Sequence, residues 1–207
     1  LPGAGAAPRD ARTEATLDVL QAAIGQWQRP LSQDDLFAWH AALFPTGRSG
    51  LSQIVSGGWR THAEPMQIVT PRLGKPDVLH YEAPASAEVP AHMAAWLQWF
   101  NGSLGQIDGV ARAALAHLWF EAIHPFEDGD GRIGRAVVEL ALTQDLQSPQ
   151  RLMRVSTQFL AARADYYAHL QTATSGPELD VTPWVGWFAT RVQRAGEAAV
   201  AHVQSAL

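Results

Sequence analysis

The chain has no cysteine among its 207 residues, which excludes a disulfide framework, a zinc–thiolate centre and a thiol nucleophile. That composition suits a reducing compartment, and a cytoplasmic location is the expectation. Surplus charge is small as well. Fifteen Lys and Arg against 20 Asp and Glu leave a net charge of −5, without the positive field that nucleic acid requires. No apolar run reaches the ~18 residues of a membrane-spanning helix. Glycine and proline, at 17 and 13 residues, are too few for a low-complexity chain. With 47% hydrophobic and 17% charged residues, one globular domain is expected, with neither nucleic acid nor membrane as a partner.

What is present is mostly helical period. Residues 1–12 read as a flexible leader, and Leu1 in place of an initiator Met as the mark of a fragment or processed product; residues 13–207 read as a single domain. Leu17, Leu20, Ile24 and Trp27 fall on one face of a helix over 13–27. Ser32 and Asp35 form a capping box ahead of Leu36, Trp39, His40 and Leu43. Pro90 suits a first helical turn before Met93, Trp96, Leu97 and Phe100. Further helices are predicted over 110–123, 131–147, 157–173 and 183–206, the last with Thr182 as its N-cap. One stretch breaks the pattern. Residues 66–70 and 78–81 are β-branched, aromatic or alternating, and 71–77 carries turn residues. This predicts a β-hairpin, which must lean on the helices because two strands alone are marginal in water. The eight Trp are read as mostly core.

Chemistry concentrates in residues 124–135, His-Pro-Phe-Glu-Asp-Gly-Asp-Gly-Arg-Ile-Gly-Arg. One base, three carboxylates, three glycines and two arginines lie between two predicted helices, more than stability requires. The glycines allow backbone N–H groups to form an anion nest at the start of the second helix, where the dipole adds positive potential. Arg132 and Arg135, three apart, leave the first turn on the same side and suit a polyphosphate. Asp128 is a hard oxygen ligand of the kind Mg²⁺ takes together with phosphates. His124 could accept a proton from an incoming hydroxyl. A calcium loop does not fit: with Asp128 at its first position, Ile133 stands where Gly is needed. His40 reads as a core or boundary residue, and His62, His80 and His117 lack ligand spacing.

The same segment resembles the signature of the Fic family, H-P-F-x-[DE]-G-N-G-R-x-x-R, matching eight of nine specified positions. Residues 119–123, Gly58-Trp59-Arg60, Tyr166-Tyr167 and Thr182-Pro183-Trp184 are similar too, so the resemblance runs from about residue 32 to 206. It implies a mainly α fold, a helical bundle with a β-hairpin flap over the active-site loop. It also implies transfer of AMP from ATP to a Ser, Thr or Tyr hydroxyl of a target protein, with release of pyrophosphate. Under it His124 is the general base, Phe126 anchors the loop, and Asp128 holds Mg²⁺. Gly129, Asp130, Gly131, Arg132 and Arg135 bind the nucleotide phosphates. Tyr166 and Tyr167 border the adenine, with core packing the equal alternative. Met66, Gln67, Ile68, Val69 and Thr70 form the flap strand that pairs with an extended target segment.

Two departures qualify the implication. Asp130 replaces the family Asn, putting an acceptor where the family has an amide donor, near phosphates. No convincing inhibitory segment is present: residues 174–179, Thr-Ser-Gly-Pro-Glu-Leu, miss the last position of the family's [ST]-x-x-x-E-[GN], and Gly-Pro would break the helix. Such a segment is expected upstream or on another chain. The alternatives left open are phosphate transfer, removal of AMP, and a nucleotide-binding regulatory module with weakened activity.

Overall fold

A computed structural model describes residues 11–72, 75–149, 154–175 and 179–205, with residues 68–72 and 75–80 described by their backbone. The chain is mainly helical. Among the described residues the order is α1 (Ala11–Gly25), α2 (Gln33–Leu43), β1 (Arg48–Ser49), β2 (Ser52–Gln53), β3 (Gln67–Arg72) and β4 (Lys75–Glu82). Then follow α3 (Val89–Gly102), α4 (Gly109–Ile123), α5 (Asp130–Leu146), α6 (Val155–Ala161), α7 (Arg163–Ser175) and α8 (Thr182–Ser205). None of these helices is long and apolar enough to cross a membrane.

Helix α4 is the central post, packed by α3, α5 and α8. Its burial on several sides explains its lack of a single apolar stripe. Asp108 caps it, accepting from the N–H groups of Val110 and Ala111. Two tryptophans fully buried against it find acceptors on its backbone: Trp96 Nε1 donates to the Ala116 carbonyl at 3.0 Å and Trp184 Nε1 to that of Ala114 at 2.8 Å. The Ser32–Asp35 capping box is present at α2. Arg29 grips the same carboxylate at 2.6 Å and, with Ser32, holds it down to about 2.

Several elements differ from expectation, and β3 and β4 extend into the 71–77 stretch expected to be turn. Helix α1 begins at Ala11, so two leader residues are helical; residues 1–10 lie outside the described residues. The helix expected over 157–173 is two, α6 and α7, divided at Ala162, whose φ −116°, ψ 38° is non-helical. Thr182 is the first residue of α8 and not its cap: its N–H donates to the Asp180 carboxylate at 2.9 Å. A second hairpin, β1–β2, sits in a stretch assigned no element from sequence, because its strands are two residues long.

The β3–β4 hairpin is antiparallel, pairing Gln67 with Glu82 and Ile68 with Tyr81, with register breaks at Ile68/Val69 and Thr70/Arg72. It leans on the helices as a two-stranded ribbon must. Helix α7 packs on β4, and the Tyr81 hydroxyl donates to the Ala122 carbonyl at 2.7 Å. Met66 precedes β3, its carbonyl accepting from the Ala83 N–H. The side chains of Ile68, Val69 and Thr70 lie outside what is described.

Candidate active site

Helix α4 ends because Pro125 cannot continue it. His124 closes it in the left-handed region, φ 48°, ψ 63°, an uncommon conformation for a non-glycine residue that costs about 1–3 kcal/mol and persists only when neighbours enforce it. Arg60 is the chief enforcer. Its Nε donates to the His124 carbonyl at 2.8 Å, Nη1 to the Ser86 hydroxyl, and Nη2 to the carbonyls of Pro84 and Ile123. Its own N–H donates to the Pro125 carbonyl. A guanidinium buried at 1% exposure thus ties the loop to the end of the β3–β4 hairpin.

The next residues are fixed from beneath. Phe126 has no exposed surface and stacks on the His40 ring at 4.2 Å and 9°. His40 Nδ1 accepts from the Gly57 N–H at 3.0 Å, so Nε2 carries the proton and donates to the Asp128 carbonyl at 3.0 Å. Burial lowers the His40 pKa, favouring this neutral form. Glu127 accepts from the Val55 N–H at 3.1 Å. Gly129 has φ +95°, and a Cβ there would meet the Phe44 ring at 2.9 Å, so glycine is required twice over. Helix α5 then starts at Asp130, one residue earlier than expected.

The Asp128 carboxylate lies at the surface of this turn. Partial burial pushes it up, but the Ser49 hydroxyl donating to Oδ2 and Arg132 beside Oδ1 hold it below the usual carboxylate range. Arg132 Nη2 is 3.4 Å from Oδ1, and its guanidinium lies 4.7 Å above the Phe44 ring. Arg135 turns to different neighbours, lining a hollow of about 230 Å³ with Arg163, Tyr166 and Tyr167. Arg132 thus meets Asp128 and Phe44, while Arg135 lines the hollow beside α7. Tyr166 packs inward, its hydroxyl 2.9 Å from His117 Nε2. Tyr167 is 48% exposed and meets Tyr166 edge-on at 5.1 Å. Of the tyrosine pair, only Tyr167 presents much of its ring to a ligand. The 174–179 stretch lies partly outside the described residues.

Asp130 is placed differently from the phosphate-facing carboxylate expected. Its side chain is 2% exposed and turned into the loop: Oδ1 accepts from the Phe126 N–H at 2.9 Å, and Oδ2 lies 3.3 Å from His124 Nε2. Burial raises it to about 7, and burial lowers His124. Its backbone remains at the helix start, but its carboxyl addresses the histidine.

Glu121 is buried one turn below, close enough to His124, Asp130 and Arg135 to feel their charges. Burial pushes it up to about 7 from an ordinary 4.5. Close packing of α5 makes the burial: a Cβ at Gly134 would stand 2.5 Å from Glu121 Oε1 and 2.9 Å from His117. The folded chain keeps a proton that the unfolded chain releases as pH rises through this window, so this group's contribution to stability falls with pH there. Glu121→Gln removes that penalty. Its unfolding free energy relative to wild type should improve from pH 4.5 to pH 8 in urea titrations; a difference flat with pH would mean that Glu121 ionises normally. His117, 4.0 Å from Glu121 and pushed down to about 3 by burial, acts in the opposite direction.

Residues 30–142, more than half of the chain, match the Fic/DOC family. The protein belongs to that family. It is 31% identical over 129 residues to protein adenylyltransferase fic-1 of Caenorhabditis briggsae, covering 62% of this chain and 24% of that one. It is 28% identical over 141 residues to protein adenylyltransferase Fic of Nematostella vectensis, covering 68% and 31%. A crystal structure of a Fic family protein from Desulfovibrio desulfuricans superposes with a TM-score of 0.69 at 26% identity, covering 95% of this chain and 56% of that one. The chain thus spans less than a third of the length of these two curated relatives. Family members are typically nucleotidyltransferases that use ATP and Mg²⁺, and the distant homologues carry the name of protein adenylyltransferases.

Proposed function

We propose that the chain is a protein adenylyltransferase, moving AMP from ATP to a Ser, Thr or Tyr hydroxyl of a target protein. The observation that carries this is the convergence of His124, Asp128 and Arg132 around the first turn of α5, in a loop locked by Arg60, His40 and Phe126. In this reading His124 takes the hydroxyl proton, the oxygen bonds to the α-phosphorus, and the bond to the β-phosphate breaks to release pyrophosphate. Gly129, Asp130 and Gly131 contribute the backbone of the phosphate turn, and Arg132 and Arg135 bind the outer phosphates from two sides. The donor set fits a hard cation: a part-exposed carboxylate with a hydroxyl against it. Mg²⁺ held by Asp128 would offset phosphate charge. Tyr167 borders the base, and β3, from Gln67 through Ile68, Val69 and Thr70, pairs with an extended target segment, Met66 marking its start. The reaction needs an ATP-containing compartment, consistent with a cytoplasmic setting.

Incubation with ATP labelled at the α- or γ-phosphate tests the reading. Protein label from the α-position alone is expected. Label from γ alone would make the chain a phosphotransferase, and ATP binding without label would favour a regulatory module, for which the contact of Asp130 with the base is the motivating observation. That contact yields a further expectation. Asp130→Asn retains an acceptor for Phe126 N–H and places an amide donor against His124 Nε2. That donor occupies the lone pair with which Nε2 would take the hydroxyl proton, so transfer should slow severalfold with the ATP dissociation constant little changed, as read by calorimetry and initial labelling rates. Tighter nucleotide binding instead would mean that the carboxylate acts on the phosphates.

A further inference from the structure

Ser49 had no role in the reading of the sequence, yet it is the residue that the fold places against Asp128. It lies at the end of β1, paired with Ser52 across a turn made by Gly50 and Leu51, with Gly50 at φ +58°. The turn tip projects into solvent, Leu51 being 92% exposed. The hairpin is nonetheless held to the 124–135 loop at two points. The Val55 N–H donates to Glu127 Oε2 at 3.1 Å, and the Ser49 hydroxyl donates to Asp128 Oδ2. At its base the Ile54 N–H donates to the Gly47 carbonyl at 3.0 Å, and the Ser56 hydroxyl to that of Phe44 at 2.8 Å. An otherwise exposed turn therefore presents one hydroxyl to one carboxylate oxygen.

The geometry points to Ser49 as a second protein ligand of the cation site, its hydroxyl oxygen binding the metal beside Asp128. This rests on the proposed use of Mg²⁺ and nucleotide at Asp128. The hydroxyl has one proton and two lone pairs. The proton serves Asp128 Oδ2, which leaves two lone pairs on an oxygen that touches the carboxylate. Among the described residues no cluster of three His, Asp or Glu could hold a metal, so an oxygen-loving cation here must be completed by hydroxyl, water and phosphate oxygens. Mg²⁺ commonly accepts such a set, one or two protein oxygens with phosphates supplying the rest. A hydroxyl paired with an Asp is the arrangement by which phosphate-transferring sites of other folds hold Mg²⁺. Arg132 beside Oδ1 at 3.4 Å leaves the Ser49 side of the carboxylate as the side for the ion.

The test measures how much Mg²⁺ strengthens nucleotide binding, using α,β-methylene-ATP, which cannot transfer AMP. Affinity is read by calorimetry with and without Mg²⁺ for the wild-type chain and variants. Ser49→Ala should lose about 10- to 100-fold of the Mg²⁺ enhancement, with affinity in the absence of metal unchanged. Ser49→Thr, which keeps a hydroxyl, should retain it. Because the chain has no cysteine, Ser49→Cys introduces a single thiol. With Cd²⁺ alone it should give a cadmium–thiolate absorption band that weakens when Asp128→Ala is added. An undiminished Mg²⁺ enhancement in Ser49→Ala overturns the inference, as does a Ser49→Cys chain without the cadmium band. Failure to transfer AMP alongside a Ser49-dependent enhancement counts for the ligand role and against the transfer reading. Transfer by wild type with an enhancement that ignores Ser49 counts the other way.

Discussion

Replacing His124 by Ala is expected to slow AMP transfer ~10²–10⁴-fold while ATP binding stays near the wild-type value. The expectation rests on where the ring sits. His124 closes α4 at φ 48°, its carbonyl is held by Arg60 at 2.8 Å, and its Nε2 faces Asp130 at 3.3 Å. Burial lowers its pKa, so the neutral form that can accept a proton prevails at neutral pH. The phosphates would be held by backbone N–H groups at the α5 start and by two guanidinium groups, none of which needs the imidazole. Initial labelling rates and calorimetric ATP titrations separate the two roles. Turnover like wild type would remove His124 from the chemistry, and a parallel loss of ATP affinity would make it a binding residue.

Replacing Phe126 by Ala should destabilise the chain by about 3–5 kcal/mol, lowering the thermal midpoint by roughly 10 °C for a domain of this size. The ring is wholly buried, stacked on His40 at 4.2 Å and within 5.1 Å of the Trp59 ring. Its removal leaves a void that rigid neighbours cannot close, since His40 is committed at both nitrogens to Gly57 and Asp128. That loss is a large share of the ~5–15 kcal/mol by which domains are ordinarily stable. The functional loss should go further, because the residues on either side of Phe126 would no longer be held in register and positioning carries much of this chemistry. Urea or thermal unfolding checks the first effect, and labelling rates measured well below the midpoint check the second. A midpoint unchanged within error would mean that the loop is anchored by Arg60 and His40 without the ring. Phe126→Leu, which fills most of the space, should recover much of both.

Local chemistry made a good part of this protein legible. The Ser32–Asp35 cap, the apolar stripes of α2 and α3 and the proline at the end of α4 each act within a few residues, so they read directly as helix starts, faces and stops. The β3–β4 hairpin was visible for the same reason. The break at Ala162 was not, because no Gly or Pro marks it; the two helices it separates each pack on α8. The β1–β2 hairpin was not, because two-residue strands carry no period. Thr182 had the right chemistry for a cap, but Asp180 two residues earlier had the stronger acceptor.

The sequence by itself determined that a base, three carboxylates, three glycines and two arginines share one turn between two helices, since that is a matter of spacing along twelve residues. Only the tertiary structure decided what holds them and which way they face. His40 meets Asp128 across 88 positions and Arg60 meets His124 across 64, and no local pattern announces either. Ser49 reaches Asp128 across 79. The same is true of Asp130. Its identity suggested charge beside phosphate, but burial in the α4–α5 turn draws its carboxyl to the Phe126 N–H and leaves the other oxygen 3.3 Å from the His124 ring, because a carboxyl taken out of water binds the donor it is buried with.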